Sequence, residues 1–158
     1  MQSDELEHVI GSRLTALNQT ISTAESCSGG LIAHRITNVP GSSAYFIGGV
    51  VSYSNASKEA HLGVPHNILV EQGSVSSPVA QAMAEGAKRA FQTHWAIGVT
   101  GIAGPTGGTP QKPVGLVFIA VAGPNRTEVQ QFLFNGSRES IKSQTAKSAL
   151  SMVLEQLE

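Results

Sequence analysis

The sequence predicts a single-domain α/β fold, with helices packed on a mixed sheet. Three observations carry that expectation. Short β-prone runs alternate with helical periodicities through the first hundred residues, the pattern of successive βα units. Residues 114–122 and 127–134 are two further β-prone runs, and Gly123-Pro124-Asn125 between them reads as the turn of a hairpin. The 158 residues suffice to bury one substantial core and show no repeat, linker or low-complexity tract, so one domain is expected over residues 1–158.

Leu6, Val9, Ile10, Leu14 and Leu17 fall at near-helical spacing and predict an amphipathic helix over residues 3–17, capped by Ser3 or Asp4. Residues 19–23 read as a buried strand, Ala24 to Gly30 as a small-residue turn, and residues 31–36 as the helix that completes a βα unit. Pro40-Gly41 ends that helix, and Ser42 or Ser43 can cap a short turn of helix. Residues 48–53 form the next expected strand. Asn55 then caps a helix that carries Lys58 and stops near Gly63 and Pro65, with one further helical turn over residues 66–72. Ser77-Pro78 opens a long helix to Phe91, because serine caps well and proline suits the first helical position. Residues 95–100 read as a compact strand. Residues 101–113 are too rich in glycine and proline for regular structure and too long for a simple turn, which marks a functional loop. A last helix is expected over residues 137–157.

Composition narrows the function. Charged residues make up only 13% of the chain, which suggests that some surface is covered in a homo-oligomer, a dimer above all. A net charge of −1 without a basic run argues against nucleic acid as a partner. The lone Cys27 excludes an intrachain disulfide and fits a reducing compartment. No signal peptide and no apolar run of about 20 residues is present, so a cytoplasmic protein with no membrane association is expected. The five histidines have no ligand spacing, and no metal site is expected.

The segment from Gly41 to Lys58 concentrates chemistry. Ser43 is a candidate nucleophile, although residue type alone favours a helix cap. Tyr53 can relay a proton, or be a half-buried strand residue. Lys58 can serve as base if burial lowers its pKa, or lie solvated on a helix. Ser26, Ser28, Gly29 and Gly30 sit at a strand-to-helix turn whose backbone N–H groups suit an oxyanion or a phosphate, though ordinary turn packing explains them too. The Gly-x-Ser-x-Gly elbow is absent, since Ser26 stands where its first glycine belongs. The glycine-rich run from Thr100 and Gly101 to Gly108 is neither a P-loop nor a dinucleotide fingerprint, but can cradle a ligand at a strand end. Arg138 and Lys142, four apart on the last helix, can grip a phosphate or form a solvated basic face.

Several of these segments taken together resemble one family. Ala24-Glu25-Ser26-Cys27-Ser28-Gly29-Gly30, Pro40-Gly41-Ser42-Ser43-Ala44-Tyr45-Phe46, Gly49-Val50-Val51-Ser52-Tyr53-Ser54-Asn55, Thr100-Gly101-Ile102-Ala103-Gly104-Pro105 and Lys112-Pro113-Val114-Gly115 are similar to the CinA C-terminal domain family, the nicotinamide-nucleotide amidases. The resemblance covers nearly the whole chain. It implies a three-layer α/β/α domain that hydrolyses the carboxamide of nicotinamide mononucleotide to nicotinate mononucleotide and ammonia, in pyridine nucleotide recycling, with no cofactor. Carried over by motif, it implies Ser43 as nucleophile, Lys58 as its base either directly or through Tyr53, and Ser26 or Thr100 beside the oxyanion. Ser28, Gly29, Gly30, Gly101 and Arg138 would contact substrate. Lys142 stands where the family commonly has arginine. Two other readings accompany this one: a nucleotide-binding module that partners a separate pyrophosphatase, and a hydrolase of another small amide.

Overall fold

The computed structural model describes residues 5–158, so the expected caps Ser3 and Asp4 lie outside the described residues. Helix α1 (Leu6–Leu17) leads to strand β1 (Ile21–Glu25), helix α2 (Leu31–Thr37) and a single 3-10 turn (Ser42–Ala44). Strand β2 (Phe46–Val51) follows, then helices α3 (Asn55–Leu62), α4 (His66–Gln72) and α5 (Ser77–Phe91). Strand β3 (Trp95–Gly101), the hairpin of β4 (Leu116–Ala122) and β5 (Thr127–Leu133), and helix α6 (Arg138–Leu157) complete the order. The five strands form one mixed sheet in the order β2-β1-β3-β4-β5. β1 runs parallel to both β2 and β3, while β3, β4 and β5 are antiparallel.

Helices α1, α2 and α6 pack on one face of the sheet and α3, α4 and α5 on the other, giving the three layers expected. β1 and β3 lie between both layers and are buried along almost their whole length. Such doubly covered strands carry no apolar-polar alternation. That explains why the reading of residues 19–23 misses the register by two residues. The ladder continues instead through Ala24 and Glu25, which pair with Val50 and Val51 on one side and with Gly98 and Val99 on the other. β2 likewise begins and ends two residues before expectation, because Ser52 to Ser54 already turn into α3. The cap of α3 is Ser54 rather than Asn55: its Oγ accepts from Ser57 N at 3.1 Å.

α5 rides close on the sheet at Gly98, where a Cβ would stand 2.5 Å from both the Ala80 carbonyl oxygen and Ala84 N. Only glycine lets a helix approach a strand so closely. The topology then places the site. From β1 the chain crosses to β2 through α2 on one face, and from β2 to β3 through α3, α4 and α5 on the other. Open α/β sheets bind ligands outside the carboxyl ends of the strands where the winding reverses. Here that point is the end of β1, at Glu25 and Ser26.

Candidate functional site

Ser26 is the first residue beyond β1, and its N–H donates to the Val99 carbonyl at 3.1 Å, which fixes it in the row of strand ends. Lys58 reaches the same row from the first turns of α3. Its Nζ lies 3.1 Å from Ser26 Oγ and donates to the Tyr53 carbonyl at 3.0 Å. The lysine is 1% exposed, and this burial lowers its pKa from the ordinary 10.5 by disfavouring the ammonium form. A buried amine beside a serine hydroxyl is the arrangement a lysine base requires.

The turn after Ser26 is held by a residue that sequence reasoning did not single out. Glu25, 1% exposed, accepts from Ile32 N at 2.9 Å and from Ala33 N at 3.0 Å through its two carboxylate oxygens. It thereby caps α2 where the N-cap position, Gly30, has no side chain to do so. The readable signal is an acid placed at a strand end just before a helix. Within the turn, Gly29 N donates to the Ser26 carbonyl at 3.0 Å and Leu31 N to the Ser28 carbonyl at 3.1 Å. The N–H groups of Ser28 and Gly30 meet no acceptor among the described residues, and the buried Ser28 Oγ has no partner there either. Cys27 is buried and its thiol is pushed up to about 12, chiefly by desolvation, with the Glu25 charge adding to the rise. It stays protonated and unreactive at neutral pH.

Around this centre the other expected residues divide. The Thr100 hydroxyl is buried and donates to the Ser74 carbonyl at 2.7 Å, so it ties the 73–76 segment to the end of β3. Gly101 faces Cys27, where a Cβ would lie 3.0 Å from Sγ and 2.7 Å from Val117 Cγ2. The Arg138 guanidinium donates to the Gly104 carbonyl and to the Tyr53 hydroxyl, both at 2.7 Å. Tyr53 is 57% exposed, and it meets Lys58 through its carbonyl rather than its phenol. Arg138 stands between two clefts. One, of about 650 Å³, runs over Ser28, Gly29 and Gly30 to His34 and Lys142; the other, of about 440 Å³, lies between Tyr53, the 73–75 segment and the glycine-rich loop. Both fall within the size range of small-molecule sites.

Ser43 is elsewhere. It is exposed on the 3-10 turn that precedes β2, whereas Lys58 follows the other end of that strand. At about 3.3 Å per residue the extended chain sets the two ends roughly 20 Å apart. The expected meeting of Ser43, Tyr53 and Lys58 is therefore not made within one chain. Their closeness in sequence is spanned by a strand, not folded back by a turn. Among the described residues no three His, Cys, Asp or Glu side chains gather to hold a metal ion, and no helix is long and apolar enough to cross a membrane.

A sequence profile of the family described as CinA C-terminal domain matches residues 3–157. The chain is 51% identical over 150 residues to a CinA-like protein of Anaeromyxobacter sp., covering 95% of this chain and 37% of that protein. It is 50% identical over 154 residues to a CinA-like protein of Koribacter versatilis, covering 98% of this chain and 37% of that one. It thus spans little more than a third of these relatives. Among solved structures it is similar to the competence/damage inducible protein CihA of Agrobacterium tumefaciens, with TM-score 0.95 and 40% identity over 97% of this chain and 94% of the other. It is also similar to the competence damage-inducible protein A (ComA) of Klebsiella pneumoniae, with TM-score 0.96 and 30% identity over 99% of this chain and 98% of the other.

Proposed function

The chain belongs to the CinA C-terminal domain family, and from that premise we propose that it hydrolyses the carboxamide of nicotinamide mononucleotide, with Ser26 as nucleophile and Lys58 as its base. One observation carries the reading: the buried Lys58 amine lies 3.1 Å from the Ser26 hydroxyl. On this reading the nucleophile is Ser26 rather than Ser43, the serine that the family resemblance implied.

In this mechanism neutral Lys58 takes the hydroxyl proton as Ser26 Oγ attacks the amide carbon. The N–H groups of Ser28 and Gly30 receive the tetrahedral oxyanion. As the C–N bond breaks, the Lys58 ammonium returns its proton to the leaving nitrogen, and ammonia departs. Lys58 then deprotonates a water that cleaves the acyl-enzyme, releasing nicotinate mononucleotide and free Ser26. Arg138 and Lys142 flank the larger cleft and provide the positive charge that a substrate phosphate needs.

Ammonia release from the mononucleotide by wild type, Ser26→Ala and Ser43→Ala tests the assignment. Loss in Ser26→Ala supports it, and undiminished release there overturns the nucleophile. A panel of the mononucleotide, nicotinamide, nicotinamide riboside and glutamine tests the substrate. A better rate on any amide without the phosphate would replace it.

A further inference from the structure

We propose that the buried Ser52 hydroxyl receives the third N–H of Lys58 once that amine has accepted a proton, and so sets how strongly the base holds it. An ammonium carries three N–H groups. Among the described residues Lys58 Nζ meets two acceptors, Ser26 Oγ at 3.1 Å and the Tyr53 carbonyl at 3.0 Å. One N–H is left over. Ser52 is 0% exposed, and among the described residues its Oγ has no hydrogen-bond partner. A hydroxyl buried in that way is uncommon and calls for a reason. Burial alone pushes the Lys58 pKa down, and a third acceptor limits the fall.

The backbone brings the two groups together. Ser52 N donates to the Glu25 carbonyl at 2.9 Å, one residue past the last pair of β1 and β2. Lys58 Nζ is bonded to the residue after each member of that link, Ser26 after Glu25 and Tyr53 after Ser52. Val50 packs against Leu62 and Met83 on the α5 side, whereas Val51 Cγ2 lies beside Gly30 on the other. Side chains alternate along extended backbone, so Ser52 returns to the face on which α3 carries Lys58. Adjacent strands stand about 4.8 Å apart, and one water closes such a gap with a hydrogen bond to each group. The surrounding charges are engaged elsewhere. Among the described residues no carboxylate forms an ion pair with Lys58. Glu25 faces the α2 amides, the Tyr53 phenol faces Arg138, and Cys27 keeps its proton to about 12. On α3, Glu59 pairs with His66 and His61 is exposed. On α5, Glu85 and Lys88 are bonded to Thr127 and Gly123, and Arg89 approaches α3 at Gly63, beyond its last turn. The link from Ser52 to Lys58 stands on this geometry; its effect on ammonia release rests on the proposed amidase function.

The test reads the amine itself. In protein carrying lysine isotope-labelled at Cε, the NMR resonance that is lost in Lys58→Met belongs to Lys58, and its movement with pH gives the titration of that amine. Ser52→Ala removes the acceptor, disfavours the ammonium and moves the titration about one unit lower. Ser52→Thr keeps the hydroxyl and titrates as wild type. The rising limb of ammonia release against pH shifts down with Ser52→Ala and not with Ser52→Thr. On the plateau kcat of Ser52→Ala falls by up to about tenfold, because the weaker base takes the Ser26 proton less readily, while KM stays unchanged. A serine that merely fills space moves neither the titration nor the limb. An unmoved Lys58 titration in Ser52→Ala therefore overturns the proposal, and so does an equal downward shift in Ser52→Thr. If wild type releases no ammonia from the mononucleotide, the amidase function fails while the lysine titration still decides the role of Ser52.

Discussion

Replacing Lys58 with methionine keeps the length of the buried stem, exchanges its δ-methylene for a thioether sulfur and removes the amine. Ser26 then has no proton acceptor, and a positioned general base contributes about 10²–10⁴-fold. At about 1.36 kcal/mol per tenfold the barrier rises by about 2.7–5.4 kcal/mol. The fold responds much less, because two terms oppose. The contacts at 3.1 and 3.0 Å disappear, leaving Ser26 and the Tyr53 carbonyl unsatisfied at about 1–3 kcal/mol each. Against that, no ammonium has to leave water, which in a buried site costs several kcal/mol. A net change of about 2 kcal/mol or less in either direction is expected. pH separates the terms. The folded pKa of Lys58 lies below 10.5, so between the two values the unfolded chain binds a proton that the folded chain does not. Wild-type stability therefore rises with pH through that window, and the variant lacks this slope. Urea titrations from neutral to alkaline pH, beside ammonia release at each pH, give both readouts. Wild-type activity should climb with pH through the same lowered pKa. Lys58→Met activity within tenfold of wild type, or identical stability slopes in the two proteins, would refute the base assignment.

Three other substitutions probe the surroundings. Glu25→Gln keeps one acceptor for the α2 amides and sets an NH₂ group against the other; it should cost about 1–3 kcal/mol and lower kcat with little change in KM, as read by denaturation and steady-state kinetics. Cys27→Ser should keep ammonia release within a few-fold of wild type, since the thiol is pushed up to about 12. Between 9.0 and that value the folded chain keeps a proton the unfolded chain has lost, so wild-type stability falls with rising pH there and the serine variant loses that fall. Gly101→Ala drives a methyl against Val117 Cγ2, the Leu116 carbonyl and Cys27 Sγ. Overpacking of about 1–3 kcal/mol should lower Tm by about 2–12 °C in a chain of this size.

The layers were legible because helical periodicity and turn residues are local signals. Leu6 to Leu17, Pro78 in the first turn of α5 and the Gly123-Pro124-Asn125 hairpin each announce themselves within a dozen residues, although the N-cap of α5 is Ser76 rather than the expected Ser77 and makes no side-chain cap bond. Strand registers were not, because β1 is covered on both faces and its burial follows no period. The site divided the same way. Lys58 and Ser26 could be named as candidates from residue type, but their contact depends on the alignment of β1 with β2, a long-range fact. Glu25 escaped notice because its partners, the amides of Ile32 and Ala33, exist only once α2 has formed. Ser43 drew attention through closeness in sequence, which an intervening strand converts into distance.

That strand explains where chemistry can gather in this fold. Glu25 is level with Val51 on one neighbour and Val99 on the other, so Ser26, Ser52 and Thr100 begin one row at the carboxyl ends of three parallel strands. Each parallel strand leaves the sheet there, and the departing segments bring α2, α3 and the glycine-rich loop around the row. Lys58 needs no third side chain to orient it: the backbone carbonyl of Tyr53 fixes its amine, and burial lowers its pKa. A histidine base would need a partner to set its tautomer, whereas an amine presents its lone pair once it is neutral and held. At the other end of β1 the groups are of a different kind. Ser22 and Thr93 share a buried hydrogen bond at 2.8 Å, and the His94 ring accepts from Thr20 N at 3.0 Å. Among the described residues no buried amine stands there, so Ser43 has no base to activate it, and the chemistry gathers at the end where Lys58 meets Ser26.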